Sequence, residues 1–554
     1  MRQRGPGSLP AQPPPHARPR LTYPALISAA LIVGAMLRLI ANDAPFVSSD
    51  HAELAAIVTF FYPRGPGSFI DQPPVIWQML TSVHGILPPA LGMASMTLVG
   101  LAGITITEWW WNLPFVLAGL ATILLGARFA EELAGRRAGA IAAVLLAVLP
   151  IHAVTTRASG LGHITLMGLC QLVTLRAFVR YYEQPTPAHA RRASLALCVA
   201  LLVELFFPVL LALLFAVGML CGPAESSLRA RLAATRRLFT SRAVLLAPLL
   251  LICANGLMMV AYAAGYLPQG GTFSRLFQGS DRQPGLFLGA FWANGSVMAG
   301  SVGFALLVVL GALGLPALLR LDRRAVPLLW ACAYLLPFMI FTRANFVGYL
   351  LMGGVGLVIN AAIMLGALWG RGRAPRLLVG LLMPALAAAM ALQSIAIIFG
   401  VGPLAGGSIA QGGVSADQGL KAAAWWVRSS TSTQDLIFAD SRFEPYQLWY
   451  YLRRPMIALT DAERPEDAYV ALAKSPARPK LYLLPPERAD MLLAYAEGDP
   501  QILLTITDHE RPVLMIYGYG RDGPPARIEV AEGNQRFDRD LGGFRAMFSL
   551  HGAQ

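Results

Sequence analysis

The sequence predicts a multipass α-helical membrane protein that carries a small α/β domain at its C-terminal end. Three observations predict this. Of 554 residues, 56% are hydrophobic and only 14% charged, with a mean hydropathy of +0.55, whereas soluble domains carry about a quarter charged residues. Apolar runs recur at lengths of roughly 17–25 residues, which is what a helix needs to cross a bilayer. From Gly402 onward those runs give way to short apolar segments alternating with helical patterns, the mark of a layered α/β unit.

Residues 1–23 form a basic, Pro-rich tail with Arg2, Arg4, Arg18 and Arg20. The first span, 24–40, has no small-x-small cleavage site and reads as an uncleaved anchor. Arg38, near its outer end, is expected to snorkel to the interface. An outer loop at 41–108 follows, and its stretch Phe46–Trp77 holds Asp50, His51, Glu53, Asp71 and the rigid pair Pro73-Pro74. Acids at a membrane boundary are functional candidates. The Pro/Gly-broken piece 75–104 is expected to lie along or just above the membrane, and Trp109-Trp110-Trp111 to form an interfacial aromatic belt.

Further spans are expected at 110–127, 138–155, 163–180, 243–263, 299–319, 326–342, 346–369 and 377–400. The run 193–221 is interrupted at Glu204–Pro208, and a proline disfavours a continuous helix there. Charge decides how to count it. If it is a two-helix hairpin, 22 arginines before residue 402 fall on inner segments. Only six, Arg38, Arg64, Arg157, Arg275, Arg282 and Arg343, fall on outer ones. A single crossing would put the Arg-rich stretch 229–242 outside, against the positive-inside rule. About eleven spans result, with the N-terminus cytoplasmic and the C-terminal domain extracytoplasmic.

The transmembrane unit thus covers 24–401, a Gly-rich linker 402–417, and the α/β domain 418–554. Within that domain helices are expected at 418–429, 443–452, 465–474 and 486–496. Strands are expected at 436–439, 455–459, 480–484, 501–507 and 513–519. The last 35 residues show no readable pattern.

Several functions are excluded or disfavoured. Residues 402–554 carry 16 basic and 19 acidic side chains, a balance of −3. The overall +13 is therefore a topological signal, and no nucleic-acid partner is expected. The cysteines are scattered singly without ligand spacing, so they read as small core residues. His84 and His152 read as packing residues. A lipid or sugar transporter would place ionisable groups in mid-membrane, where Glu204 is the main candidate, and no inverted repeat supports it.

The outer loops combine Asp50, Glu53, Asp71, Glu108 and Asp281 with Arg157, Arg275, Arg282 and Arg343. Carboxylates can act as a base toward a hydroxyl, and arginines can bind a phosphate through two prongs. Group transfer from a phospholipid-like donor fits that set.

Asp50 just after the first span and Asp71-Gln72-Pro73-Pro74 about twenty residues on carry a resemblance. So do Asn112-Leu113-Pro114 ahead of Leu117-Ala118-Gly119, Gly135-Arg136-Arg137, Arg157, the hairpin at Glu204–Pro208, and Gly348-Tyr349-Leu350. In this order they resemble the GT-C glycosyltransferases. More narrowly, the chain is similar to the bacterial dolichyl-phosphate-mannose-protein mannosyltransferase and aminoarabinose transferase group. It departs from that pattern at four places. His51 stands where Glu is frequent, Asn112 replaces Arg, Glu204 takes a place often held by Lys, and Gly160-Leu161-Gly162-His163 lacks the usual acid.

The resemblance implies an inverting glycosyltransferase of the bacterial inner membrane. It would move a sugar from a polyprenyl-phosphate donor to an extracytoplasmic glycan, lipid or protein acceptor. It implies Asp50 as the general base and Asp71 as the residue ordering loop and sugar. Arg157 and Arg343 would bind the donor phosphate, and Tyr349 would line the lipid groove, with Glu53 and His163 as further substrate-binding candidates. No cofactor is expected. No metal is required by that group, and no ligand cluster demands one. The alternative implied by the missing acid is a catalytically inactive envelope-assembly scaffold.

Overall fold

The computed structural model describes residues 23–40, 85–102, 104, 107–157, 161–203, 207–221, 227–263, 288–340, 350–398, 419–432, 434–440, 443, 445–452, 454, 456–459, 479–491, 500–519 and 524–540. The apolar runs are helices, because in the absence of water a backbone must satisfy its own hydrogen bonds. The first half of the bundle comprises α1 (Tyr23–Leu39), α2 (Leu87–Leu101), α3 (Glu108–Ala134), α4 (Arg136–Val148), α5 (Pro150–Arg157), α6 (Gly162–Glu183), α7 (Pro187–Leu201) and α8 (Phe207–Cys221). The second half comprises α9 (Leu228–Phe239), α10 (Arg242–Ala263), α11 (Leu288–Ala299), α12 (Ser301–Ala312), α13 (Leu315–Leu319), α14 (Val326–Ile340), α15 (Leu350–Trp369) and α16 (Arg373–Ile398).

Among the described residues, five helices are long and apolar enough to cross a membrane, or seven if two bent pairs each count as one span. The expected eleven is not established by this count. The expected span 138–155 is in fact two helices, α4 and α5, bent by 53°. Leu149 adopts an extended backbone there, as a residue before proline prefers. The run 193–221 does break into two helices, and hydrogen bonds fix their directions. The carbonyl of Leu202, just past α7, accepts from Leu87 N at 3.0 Å at the start of α2. The carbonyl of Leu214, at the middle of α8, accepts from Tyr182 Oη at 3.1 Å at the far end of α6, and a Cβ at Gly218, later in α8, would stand 2.9 Å from the same tyrosine ring. The two helices therefore run out and back.

α15 is the central helix, with 83% of its span buried. Its Leu-Leu-Met-Gly-Gly-Val-Gly start explains the close fit. A Cβ at Gly356 would stand 2.8 Å from Pro327 O, and one at Gly354 would stand 2.8 Å from Met298 Sδ. Small residues let membrane helices approach where no hydrophobic driving force exists between them. α2 also packs on the bundle, with Gly92 against the indole of Trp111. Trp111 is fully buried, so it belongs to the core and not to the expected aromatic belt. Helix α11 was not read from sequence. Cys170 and Cys221 are buried as expected, but Cys253 is exposed on α10.

The C-terminal unit contains α17 (Leu420–Ser430), β1 (Leu436–Asp440), α18 (Pro445–Leu452), β2 (Ile457–Leu459), β3 (Lys480–Leu484), β4 (Gln501–Asp508), β5 (Arg511–Tyr519), β6 (Ala526–Glu529) and α19 (Val530–Asp540). The strands form one mixed sheet of order β2-β1-β3-β5-β4-β6. β2, β1 and β3 are parallel, and β3 meets β5 antiparallel. β4 and β5 form a hairpin whose turn residues His509 and Glu510 both have positive φ, as a tight two-residue turn requires. The helix expected at 465–474 lies outside the described residues. The one expected at 486–496 is a short 3-10 segment at Pro486–Met491, its remainder outside the described residues. β6 and α19 lie in the stretch that sequence patterning left blank.

Candidate functional site

One end of the bundle gathers the features that sequence analysis placed outside the membrane. α3 begins there with Glu108, and its 27 residues extend about 40 Å at 1.5 Å per residue. At its far end Glu132 bridges Arg176 and Arg180 of α6, and Arg136 and Arg137 follow. The arginine-rich end is thus one full helix length from Glu108.

Glu108 meets the C-terminal domain. Its Oε2 lies 3.4 Å from Lys421 Nζ on α17, the two side chains being 3% and 1% exposed. Its Oε1 accepts a hydrogen bond from Tyr451 Oη on α18. Lys421 Nζ also lies 5.9 Å from the ring centre of Phe537 on α19. Sequence analysis grouped Glu108 with the outer acids available for chemistry. Here it holds the domain onto the bundle instead.

At the same end, α1 stops and the chain leaves toward residues 41–84. The last carbonyls of a helix have no partner within it. Arg157, at the C-terminus of α5, supplies one. Its Nη1 donates to Leu37 O at 3.0 Å and to Ile40 O at 2.5 Å. Arg157 is itself buried, and its own carbonyl accepts from Asn112 Nδ2 at 2.8 Å. Asn112, where the chain departs from the resembled pattern, therefore fixes the end of α5 from the second turn of α3. Gly119 lets α3 lie against α5, since a Cβ there would sit 2.4 Å from Thr156 Cγ2.

Arg38 does not snorkel. It is 0% exposed and turns into the bundle. Its Nη1 donates to Gly34 O at 2.8 Å and Ala147 O at 3.2 Å, and its Nη2 lies 2.9 Å from His152 Nδ1. A guanidinium nitrogen can only donate, so Nδ1 accepts and the imidazole proton sits on Nε2. The 3.2 Å contact of Nδ1 with Leu146 O is then not a hydrogen bond. His152 is more than packing: it receives a buried cation.

Of the site residues read from sequence, Asp50, Glu53, Asp71, Arg343 and Tyr349 lie outside the described residues, as does Glu204. Arg157 and His163 are described. His163 is buried in the first turn of α6. The adjoining Gly162 faces Phe115 so closely that a Cβ would come within 2.1 Å of its ring. Four residues were missed: Lys421, Tyr451, and the roles of Asn112 and His152. Two of them left a trace in the sequence, Asn112 as a departure from the resembled pattern and Lys421 as a lone cation in an apolar helix start.

No protein-family model matches the chain, and no curated protein matches it. Solved structures do. It is similar to ArnT from Cupriavidus metallidurans bound to undecaprenyl phosphate, at a TM-score of 0.56 and 16% identity, covering 90% of this chain and 98% of that one. The apo state of the same protein gives 0.55 and 15%, covering 89% and 97%. The archaeal oligosaccharyltransferase AglB from Archaeoglobus fulgidus, in complex with an inhibitory peptide and a dolichol-phosphate, gives 0.51 and 12%, covering 86% and 71%. At these identities the likeness shows the fold alone: this chain shares the architecture of those proteins, here a bundle of apolar helices with a small mixed-sheet domain at one end.

Proposed function

We propose that the protein is a glycosyltransferase that moves a sugar from a polyprenyl-phosphate donor to a hydroxyl or amine on the outer face of a bacterial inner membrane. The observation that carries this is the convergence at one end of the bundle. Arg157 and Asn112 hold the end of α1, from which the segment with Asp50 and Asp71 departs, and Glu108 holds the C-terminal domain at that same end. A fold alone hosts many chemistries; the fold neighbours that bind undecaprenyl phosphate and dolichol-phosphate support the lipid-phosphate donor.

In this reading eleven spans place the arginine-rich end in the cytoplasm and the C-terminal domain outside. Asp50 removes the proton from the acceptor hydroxyl, which attacks the anomeric carbon as the bond to the phosphate oxygen breaks. Configuration inverts, and the polyprenyl phosphate leaves. Asp71 orders the loop and the sugar. Arg343 and Arg157 neutralise the phosphate charge that grows as the bond breaks, Arg157 while also anchoring α1. Tyr349 lines the lipid groove, and Glu53 and His163 contact substrate.

The test is envelope mass spectrometry in a deletion strain complemented with wild type or Asp50→Asn. Asn keeps the size and removes the base, so transfer should fall about 10²–10⁴-fold with normal membrane insertion. A glycan lost on deletion but fully restored by Asp50→Asn would assign the base elsewhere. An unchanged glycome on deletion would favour the scaffold.

A further inference from the structure

A groove of about 370 Å³ opens at the arginine-rich end of the bundle, between α4, α15 and α16. Arg137 and Ile141 line it from α4, Trp369 from the end of α15, and Val379, Met383 and Pro384 from α16. From Arg373, where α16 starts, to Pro384 is about 16 Å along the axis, close to half the ~30 Å hydrocarbon thickness. The lining on α16, Val379 to Pro384, covers about 7.5 Å of that length, so the groove lies within the leaflet at the arginine-rich end. It lies on a face built for lipid, since Leu377, Leu378 and Leu381 on α16 are 71%, 50% and 73% exposed.

Its mouth is cationic. Arg136 is drawn toward Glu131 at 3.7 Å, and Arg128 pairs with the same acid at 3.3 Å. Among the described residues, the side chains of Arg137, Arg371, Arg373 and Arg376 make no hydrogen bond or ion pair, and all four residues are exposed. A soluble anion would find apolar walls below the guanidinium. An acyl chain alone would have no use for the guanidinium. A molecule with both parts fits: the planar fork of an arginine suits a phosphate, and basic pockets between membrane helices suit anionic head groups.

We propose that this groove seats an anionic phospholipid of the leaflet at the arginine-rich end, its phosphate at Arg137 and one acyl chain along Ile141, Val379, Met383 and Pro384. The site is a full helix length from the proposed transfer site and does not depend on it.

The test uses the full-length protein in nanodiscs of phosphatidylcholine doped with phosphatidylglycerol, with retained lipids counted by native mass spectrometry. Wild type should retain phosphatidylglycerol in preference to phosphatidylcholine. Arg137→Gln, at an exposed position, should cut phosphatidylglycerol retention about fivefold, the equivalent of roughly 1 kcal/mol per surface arginine, and leave phosphatidylcholine unchanged. Gly380→Leu also points into the groove, where an added Cβ meets nothing within 4 Å, and it should reduce retention of both lipids. Equal retention of the two lipids by wild type, or phosphatidylglycerol retention unchanged in both variants, would overturn the site and leave only a general lipid annulus.

Discussion

The Glu108–Lys421 pair lends itself to direct experiment, because its energetics are unusually one-sided. The two side chains are 3% and 1% exposed, so each charge has lost nearly all its water. Breaking such a pair by removing one partner costs about 3–5 kcal/mol, since the other charge stays buried, whereas removing both charges together is often close to neutral. Glu108→Gln keeps an oxygen for the Tyr451 hydroxyl and removes only the charge. Lys421→Met keeps the length of the stem and removes the ammonium. Each single variant should therefore loosen the domain from the bundle by about 3–5 kcal/mol, and the double variant should return to within about 1 kcal/mol of wild type.

Amide hydrogen exchange on the segment 420–430 reads this directly, because local opening free energies appear as protection factors. The single variants should lose about two to four orders of magnitude of protection, while the double variant loses less than about tenfold. If the singles changed protection by less than about fivefold, or if the double lost the sum of both, the pair would not be a buried latch. Tyr451→Phe supplies an internal scale. It removes one hydrogen bond to a charged acceptor, worth about 1.5–3 kcal/mol, and should fall between wild type and the single charge variants.

Three further outcomes follow. Arg343→Lys should keep partial transfer activity while Arg343→Ala loses nearly all, with both binding a polyprenyl phosphate more weakly; equal affinity across the three forms, measured on purified protein, would remove Arg343 from the phosphate site. Gly119→Val should destabilise by about 1–3 kcal/mol through overpacking, because its side chain would occupy the space of Thr156; a thermal midpoint equal to wild type would show that α3 and α5 are not so close. A periplasmic reporter fused after Gly407 should be active and one within 229–242 silent, and the opposite pattern would invert the proposed topology.

Length and punctuation made the bundle legible. Apolar runs of bilayer length became helices, Pro208 marked a real break, and the strand at 480–484 fell where alternating apolar residues placed it. Other features depended on partners far along the chain. The bend between α4 and α5 had a local signal in Leu149-Pro150, but the continuous apolar pattern masked it. Three consecutive tryptophans turn through about 200° of helix face at 3.6 residues per turn, so they could not all share one interface, and Gly92 took Trp111 into the core. Glu108 and Lys421 are separated by most of the membrane unit, so neither residue's surroundings in sequence announce the other. In the candidate site itself, only Arg157 and His163 were both named from sequence and placed by the fold, and the carboxylates named with them lie outside the described residues.

Arg38 and Arg157 together explain why the end of α1 is a fixed point. An arginine near the end of an apolar helix has two outcomes of similar cost: its stem can reach for water, or it can find acceptors inside the bundle. What selects the second here is space. A Cβ at Gly34 would stand 3.3 Å from Arg38 Nη1 and one at Gly119 3.2 Å from Arg38 Nε, so two glycines leave the room the guanidinium occupies. Arg38 then binds α1 to α4 through Ala147 O and to α5 through His152. Arg157 reaches back from α5 to the carbonyls of Leu37 and Ile40 on either side of it. Each arginine uses the other's helix, and hydrogen bonds from charged donors are among the stronger ones available at about 1.5–3 kcal/mol each. In the proposed function the loop that follows presents Asp50 to a reacting hydroxyl, and a constellation that must hold to about 0.5 Å gains from starting at such a point, because error at its base would be multiplied along its length.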